Sequence, residues 1–148
     1  MRIATGGIGG VVRRVVLGAL VAGALALSGC VSPPPSPFER ERTAADELPA
    51  VISDDALDGV ELSTVRYQGS TDSVEVWVAR EKANRGICII VAAPGDPSEW
   101  VVGCGGGSSF VAVGLGTTDE FEFYPWGLPG DEPREGWIAV SDYVIARE

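Results

Sequence analysis

The chain predicts an all-β fold: a small antiparallel sandwich or partly open barrel of about seven strands with one disulfide, preceded by a short N-terminal helix and a Pro-rich spacer. Three observations predict it. From Val60 onward, short runs of β-branched and aromatic residues are separated by Gly, Pro and Asp clusters, the texture of strands joined by tight turns. Cys88 and Cys104 lie symmetrically about Asp96, so a hairpin turning there sets them directly opposite, within the Cα separation a disulfide tolerates. The 119 residues from Cys30 onward suffice for one core and are too few for two.

In order, the strands are expected at Val60 to Tyr67, Ser73 to Arg80, Ile87 to Ala93, Trp100 to Cys104, Ser109 to Leu115, Glu120 to Trp126 and Trp137 to Ala146. Val74, Val76 and Val78 alternate with Glu75, Trp77 and Ala79, and Phe121 and Phe123 with Glu120 and Glu122, so one face of each is expected to be buried. Ile87 to Ala93 is apolar throughout apart from Cys88, as in a strand covered on both faces, which puts the disulfide hairpin in the middle of the domain. On the Asp96 register, Ile90, Ala92, Trp100 and Val102 share the face of the disulfide.

Upstream of Val60 lie three further segments. Residues 1–29 form an export leader: Arg2, Arg13 and Arg14 make a basic region, Val15 to Leu27 is apolar, and Ser28 and Gly29 are small. The apolar stretch has 13 residues, short of the roughly 20 that a spanning helix needs. Leu27-Ser28-Gly29-Cys30 resembles the lipobox of bacterial lipoproteins. That resemblance implies cleavage before Cys30, a diacylglycerol on its thiol, an N-acyl chain, and a place on the extracytoplasmic face of the cell membrane. Two or three chains, at about 0.8 kcal/mol per buried methylene, anchor a small domain stably. Arg13-Arg14 followed by Val15 and Val16 is also similar to a twin-arginine signal, which leaves the export route open. Residues 30–37 form a Pro-rich linker expected to be a stiff polyproline II spacer. Residues 38–59 hold a short polar helix over Glu39 to Glu47, opened by the capping pattern Ser36-Pro37-Phe38-Glu39, and then an acidic turn.

All 21 acidic residues but only eight of the 11 basic ones follow Gly29, which gives that part a net charge of −13. It is repelled by phosphate backbones, so no nucleic-acid partner is expected. With Cys30 lipidated, Cys88 and Cys104 remain, in a compartment where disulfides persist. The closed loop would stabilise by roughly 3 kcal/mol. Two thiols and no histidine are a poor zinc site, and a catalytic thiol would lack its activating histidine.

Other constellations fail on chemistry. Gly103-Cys104-Gly105-Gly106-Gly107-Ser108-Ser109 has neither the lysine nor the following helix of a phosphate loop. Asp54-Asp55-Ala56-Leu57-Asp58-Gly59 suggests a calcium loop, but the third and twelfth ligand positions fall on Ala56 and Val65. A Ser-Lys dyad would have to use Lys82, in the expected hairpin turn Glu81 to Gly86. Carboxylate pairs for glycoside hydrolysis are inevitable by chance among 21 acids. No catalytic residue, metal or cofactor is therefore expected beyond the lipid on Cys30.

Among Tyr67, Trp77, Trp100, Tyr124, Trp126, Trp137 and Tyr143, the sheet pattern puts Tyr124 and Trp126 together, on the face opposite Phe121 and Phe123 and beside the loop Gly127 to Asp131. Either they fill the core or they form a platform for a sugar ring or a partner's apolar residues. Val74 to Arg80, Gly86 to Val91, Trp100 to Gly106 and Val140 to Val144 together resemble small exported or membrane-anchored proteins of high-GC Gram-positive bacteria. The resemblance implies an extracytoplasmic disulfide-bonded domain and brings no activity. The function expected is that of a non-enzymatic, lipid-anchored interaction module that meets an envelope protein or glycan. The alternatives are a small-ligand or carbohydrate-binding lipoprotein using Tyr124 and Trp126, and a carboxylate-based hydrolase.

Overall fold

The computed structural model describes residues 34–147 apart from 84, 97, 107, 108 and 131; the expected leader and the expected lipobox ending at Cys30 lie outside the described residues. Among the described residues, eight strands form two four-stranded antiparallel sheets: β1 (Val60–Ser70), β2 (Glu75–Glu81), β3 (Ile87–Ala92), β4 (Trp100–Gly105), β5 (Val111–Leu115), β6 (Asp119–Phe123), β7 (Trp137–Ala139) and β8 (Val144–Arg147). The first sheet has the order β1-β2-β3-β4 and the second β5-β6-β8-β7. The sheets pack face to face and do not close into a barrel.

The Asp96 hairpin forms in the expected register. Cys88 pairs with Cys104, Ile90 with Val102 and Ala92 with Trp100, and the two cysteines are bonded with Cα atoms 4.0 Å apart. Asp96 fixes the turn by accepting from the Ser98 backbone N–H at 2.8 Å and from its hydroxyl at 2.6 Å. The hairpin is not central, however. β3 is an inner strand, but β4 is an edge of its sheet.

The core has two layers because the first sheet is apolar on both faces. Val76, Val78, Ile89 and Val91 face the second sheet, where they meet Phe121, Phe123, Val144 and Ala146. Trp77, Ala79, Cys88, Ile90 and Ala92 point the other way and are covered by Ile52, Leu57 and Leu48 from the chain before β1. The alternation expected for β6 holds, with Phe121 and Phe123 buried and Glu120 exposed. β2 departs from it, since Trp77 and Ala79 are as buried as the valines. Each large apolar side chain buried in this way stabilises by about 1.5–3 kcal/mol.

Three expectations are corrected. Glu39 to Glu47 is not a helix: the chain makes 3-10 turns at Pro37–Glu39, Ala44–Asp46 and Asp54–Leu57, with no α-helix among the described residues. Seven of these nine residues are polar, the two alanines give no apolar face to dock, and so short a helix is unstable by itself. Instead Asp46 turns inward, fully buried. It accepts from the backbone N–H groups of Thr43 at 2.7 Å and Tyr67 at 2.6 Å and from the Arg40 fork, with Nη1 at 2.8 Å. The single strand expected from Trp137 to Ala146 is a hairpin, because the Ser141 hydroxyl accepts from the Tyr143 and Val144 N–H groups and turns the chain.

The third correction concerns the described end of the spacer, residues 34–37. Pro34 to Pro37 lie against the β domain. Pro37 is buried, the Tyr143 hydroxyl donates to the Pro35 carbonyl, and a Cβ at Gly127 would come within 2.9 Å of the Pro34 ring. Prolines dock readily because each presents an apolar ring and has no N–H to satisfy.

Candidate functional site

The site is built where β6 ends. Beyond Phe123 the Tyr124 N–H still donates to the Tyr143 carbonyl at 2.7 Å, and then the Gly127 N–H returns to the Tyr124 carbonyl at 3.1 Å. Tyr124-Pro125-Trp126-Gly127 is thus a β-turn with proline at its second position and glycine at its fourth, both favoured there. The turn buries Pro125 and throws Trp126 outward, 78% exposed. Gly127, at φ +93°, makes room for Pro34.

Trp126 stands at the rim of a groove of about 880 Å³, where Phe38, the end of β4 and the β2–β3 turn meet. Phe38 forms the inner wall, edge-on to Phe123 with ring centroids 6.2 Å apart. The Arg80 guanidinium lies 4.9 Å above the Phe38 ring, close enough for a cation–π attraction. Lys82 and Arg85 line the same groove from the turn. Arg85 holds φ +54°, a left-handed conformation that costs a residue with a Cβ roughly 1–2 kcal/mol.

These bases stand out in an acidic chain. Of the other described ones, Arg40 pairs with Asp46, Arg134 with Glu122 and Arg147 with Glu120, while Arg42, exposed and also outside any ion pair among the described residues, donates to the Asp46 carbonyl at 3.5 Å. Arg66 donates to the carbonyls of Arg40, Ser63 and Val65. Arg80 and Arg85 are in no ion pair among the described residues, and Lys82 reaches Asp58 only at 3.9 Å, with both side chains exposed, a contact worth little. Glu39, Glu61 and Glu81 also line the groove, so its formal charge balances. Glu39 and Glu61 are exposed and lack the apolar enclosure of a carboxyl that serves as a general acid.

Tyr124 and Trp126 do not form the shared platform that an uninterrupted strand would give. Tyr124 is turned to the outer face of the second sheet, stacked on Phe110 with centroids 5.4 Å apart, and its hydroxyl donates to Glu122 at 2.6 Å. Burial, then the Glu122 hydrogen bond, raises its pKa, which keeps the phenol a donor. Arg134 grips both Glu122 oxygens at 2.8 Å while its guanidinium lies 3.7 Å over Trp137. The Arg134 hydrogen bonds hold the Glu122 carboxyl below its usual range, against burial. This cluster clasps the loop after Gly127 to the sheet.

No known family model, curated protein or solved structure matches the chain.

The disulfide of Cys88 and Cys104 lies on the other side of the first sheet from the inter-sheet core, in the layer covered by Ile52 and Leu57. Lys82 sits in the β2–β3 turn and is exposed, and Asp54, Asp55 and Asp58 are exposed around the turn before β1. The Tyr-Pro-Trp-Gly signature was available to place Trp126 in a turn, since proline is excluded from inner strands. No sequence signal joins Phe38 to Arg80 and Arg85, which meet only through the docking of the proline segment.

Proposed function

We propose that the chain is a lipid-anchored, non-enzymatic protein of the extracytoplasmic membrane face, which meets a component of the cell envelope through the groove beside Trp126. The observation that carries the site is the exposed Trp126 ring at the rim of a groove shared with Arg80, Lys82 and Arg85. An aromatic ring with an apolar body and a polar edge, next to uncommitted cations, suits a contact that is half apolar and half charged. The anchor rests on Leu27-Ser28-Gly29-Cys30 and its basic, apolar leader. The absence of histidine from the whole sequence removes the commonest general base.

The test is photocrosslinking in intact cells from position 126, compared with Thr117 in the turn at the opposite end of β6, in the native chain and in Cys30→Ser. Capture from position 126 of the anchored chain, and not from position 117, is the expected result. Equal capture from both positions would reject the site. Unchanged membrane retention of Cys30→Ser would reject the anchor.

A further inference from the structure

We propose that the Trp126 groove is a membrane-contact face, whose occupant is the phospholipid headgroup layer: the Trp126 ring enters the interface and Lys82 and Arg85 bind headgroup phosphates. This deepens the proposed function and rests on lipidation at Cys30. The docked prolines carry the argument. A free spacer of eight residues would let the domain take any orientation, but the chain is already fixed to the domain at Pro34, which packs on Gly127. Cys30 and Pro34 are four residues apart, so the acylated residue is held within about 14 Å of that point at full extension.

The part of the domain next to that point must then face the bilayer. Gly127 adjoins Trp126, and Ser36 and Phe38, on the same docked segment, line the groove with Trp126, Arg80, Lys82 and Arg85. A domain of net charge −13 beyond the leader is repelled by anionic lipid over most of its surface. At this groove three bases offset three glutamates, so the net repulsion that the chain as a whole carries is cancelled here. Tryptophan favours the headgroup level, where its ring is half solvated, and lysine and arginine next to it extend their stems along apolar surface and reach phosphate. The left-handed Arg85 fits the same reading: a position where glycine is unstrained carries a long cation at the turn's tip.

The test uses the protein purified from membranes and reconstituted into vesicles of phosphatidylcholine and phosphatidylglycerol with bromine-labelled acyl chains. The mass of the Cys30 peptide reports acylation separately. If Cys30 arrives unmodified, its thiol is coupled to a maleimide lipid, so the face is tested whether or not the anchor reading survives. The Trp126 contribution is the difference between the native chain and Trp126→Phe. Expected are a blue shift and quenching that vanish in Trp126→Phe, with weaker quenching in the Lys82→Gln/Arg85→Gly double variant. Arg85→Gly relieves the left-handed strain, so that loss cannot be laid to unfolding. Bound protein whose Trp126 emission is neither shifted nor quenched overturns the membrane face, and undiminished quenching in the double variant overturns the phosphate contacts.

Discussion

Cys88 and Cys104 are bonded across neighbouring strands with their Cα atoms 4.0 Å apart, yet Cys88 is wholly buried while Cys104, on the edge strand, is exposed. One bond thus joins a core position to a surface position. Its removal is expected to cost about 3 kcal/mol through the loop it closes, but the two single variants should differ. Cys104→Ser leaves a buried thiol, which packs as a small apolar group. Cys88→Ser puts a hydroxyl among Trp77, Ala79 and Ile90 and adds a desolvation cost of about 1–3 kcal/mol. Urea unfolding should rank the native chain above Cys104→Ser and Cys104→Ser above Cys88→Ser, with the double variant close to Cys88→Ser. Two equal, additive losses would show that the bond is absent.

Gly103 lies where β4 meets β5, and a Cβ there would stand 2.2 Å from Val113 Cγ1. Valine is stiff at χ1 and cannot swing away cheaply, so the two sheets would have to part at that edge. Gly103→Ala is expected to destabilise by about 1–3 kcal/mol, and Gly103→Ala/Val113→Ala should recover part of that. Thermal unfolding of the three variants checks the coupling; no recovery in the pair would show that the approach of β5 does not depend on Gly103.

Strand positions were legible because they follow from local pattern: Phe121 and Phe123 from alternation, the Cys88–Cys104 register from symmetry about Asp96. The apolar run Ile87 to Ala92 also announced a strand covered on both faces. What it could not announce was the cover, since Ile52 and Leu57 reach Trp77 and Ile90 only through the fold of a polar, proline-bounded segment. Strand ends were lost for a related reason. β-prone residues continue through Tyr124-Pro125-Trp126 and on either side of Ser141-Asp142, and there turn chemistry at Pro125 and Ser141 outweighs β propensity. Strand alternation therefore pairs Trp126 with Tyr124, which the turn separates from it, and the bases of the groove lie far from Trp126 in sequence.

The Glu122–Arg134 pair predicts a local effect. Both Glu122 oxygens are held by the arginine fork, and lysine cannot reproduce that geometry or the stacking on Trp137. Arg134→Lys should leave the unfolding transition almost unmoved while limited proteolysis between residues 127 and 136 becomes faster. Because the Glu122 pKa is lowered in the fold, the protection of the native loop should hold at neutral pH and fade as pH falls through that lowered value. Loop cleavage unaffected by either change would mean that the clasp is not what holds it.

Asp46 is the corresponding test for the segment that covers the first sheet. Its burial opposes ionisation, but hydrogen bonds from Arg40 and from the backbone N–H groups of Thr43 and Tyr67 outweigh that, and its pKa falls well below the usual carboxylate range. A folded-state pKa lowered from 3.8 means that the carboxylate contributes its stability in full above the unfolded value and loses it as pH falls towards the folded one. Asp46→Asn keeps the shape but turns an amide donor towards the Arg40 fork or the two N–H groups, at a cost of about 1–3 kcal/mol. The gap in stability between the native chain and Asp46→Asn should therefore be widest at neutral pH and narrow progressively below pH 4, as the unfolded chain takes up a proton that the folded carboxylate still resists. Denaturant unfolding at a series of pH values measures it, with Trp77 fluorescence as the probe, since the indole N–H donates to the Ala45 carbonyl beside Asp46 at 3.0 Å. A gap independent of pH would show that the charge on Asp46 does not hold the segment in place.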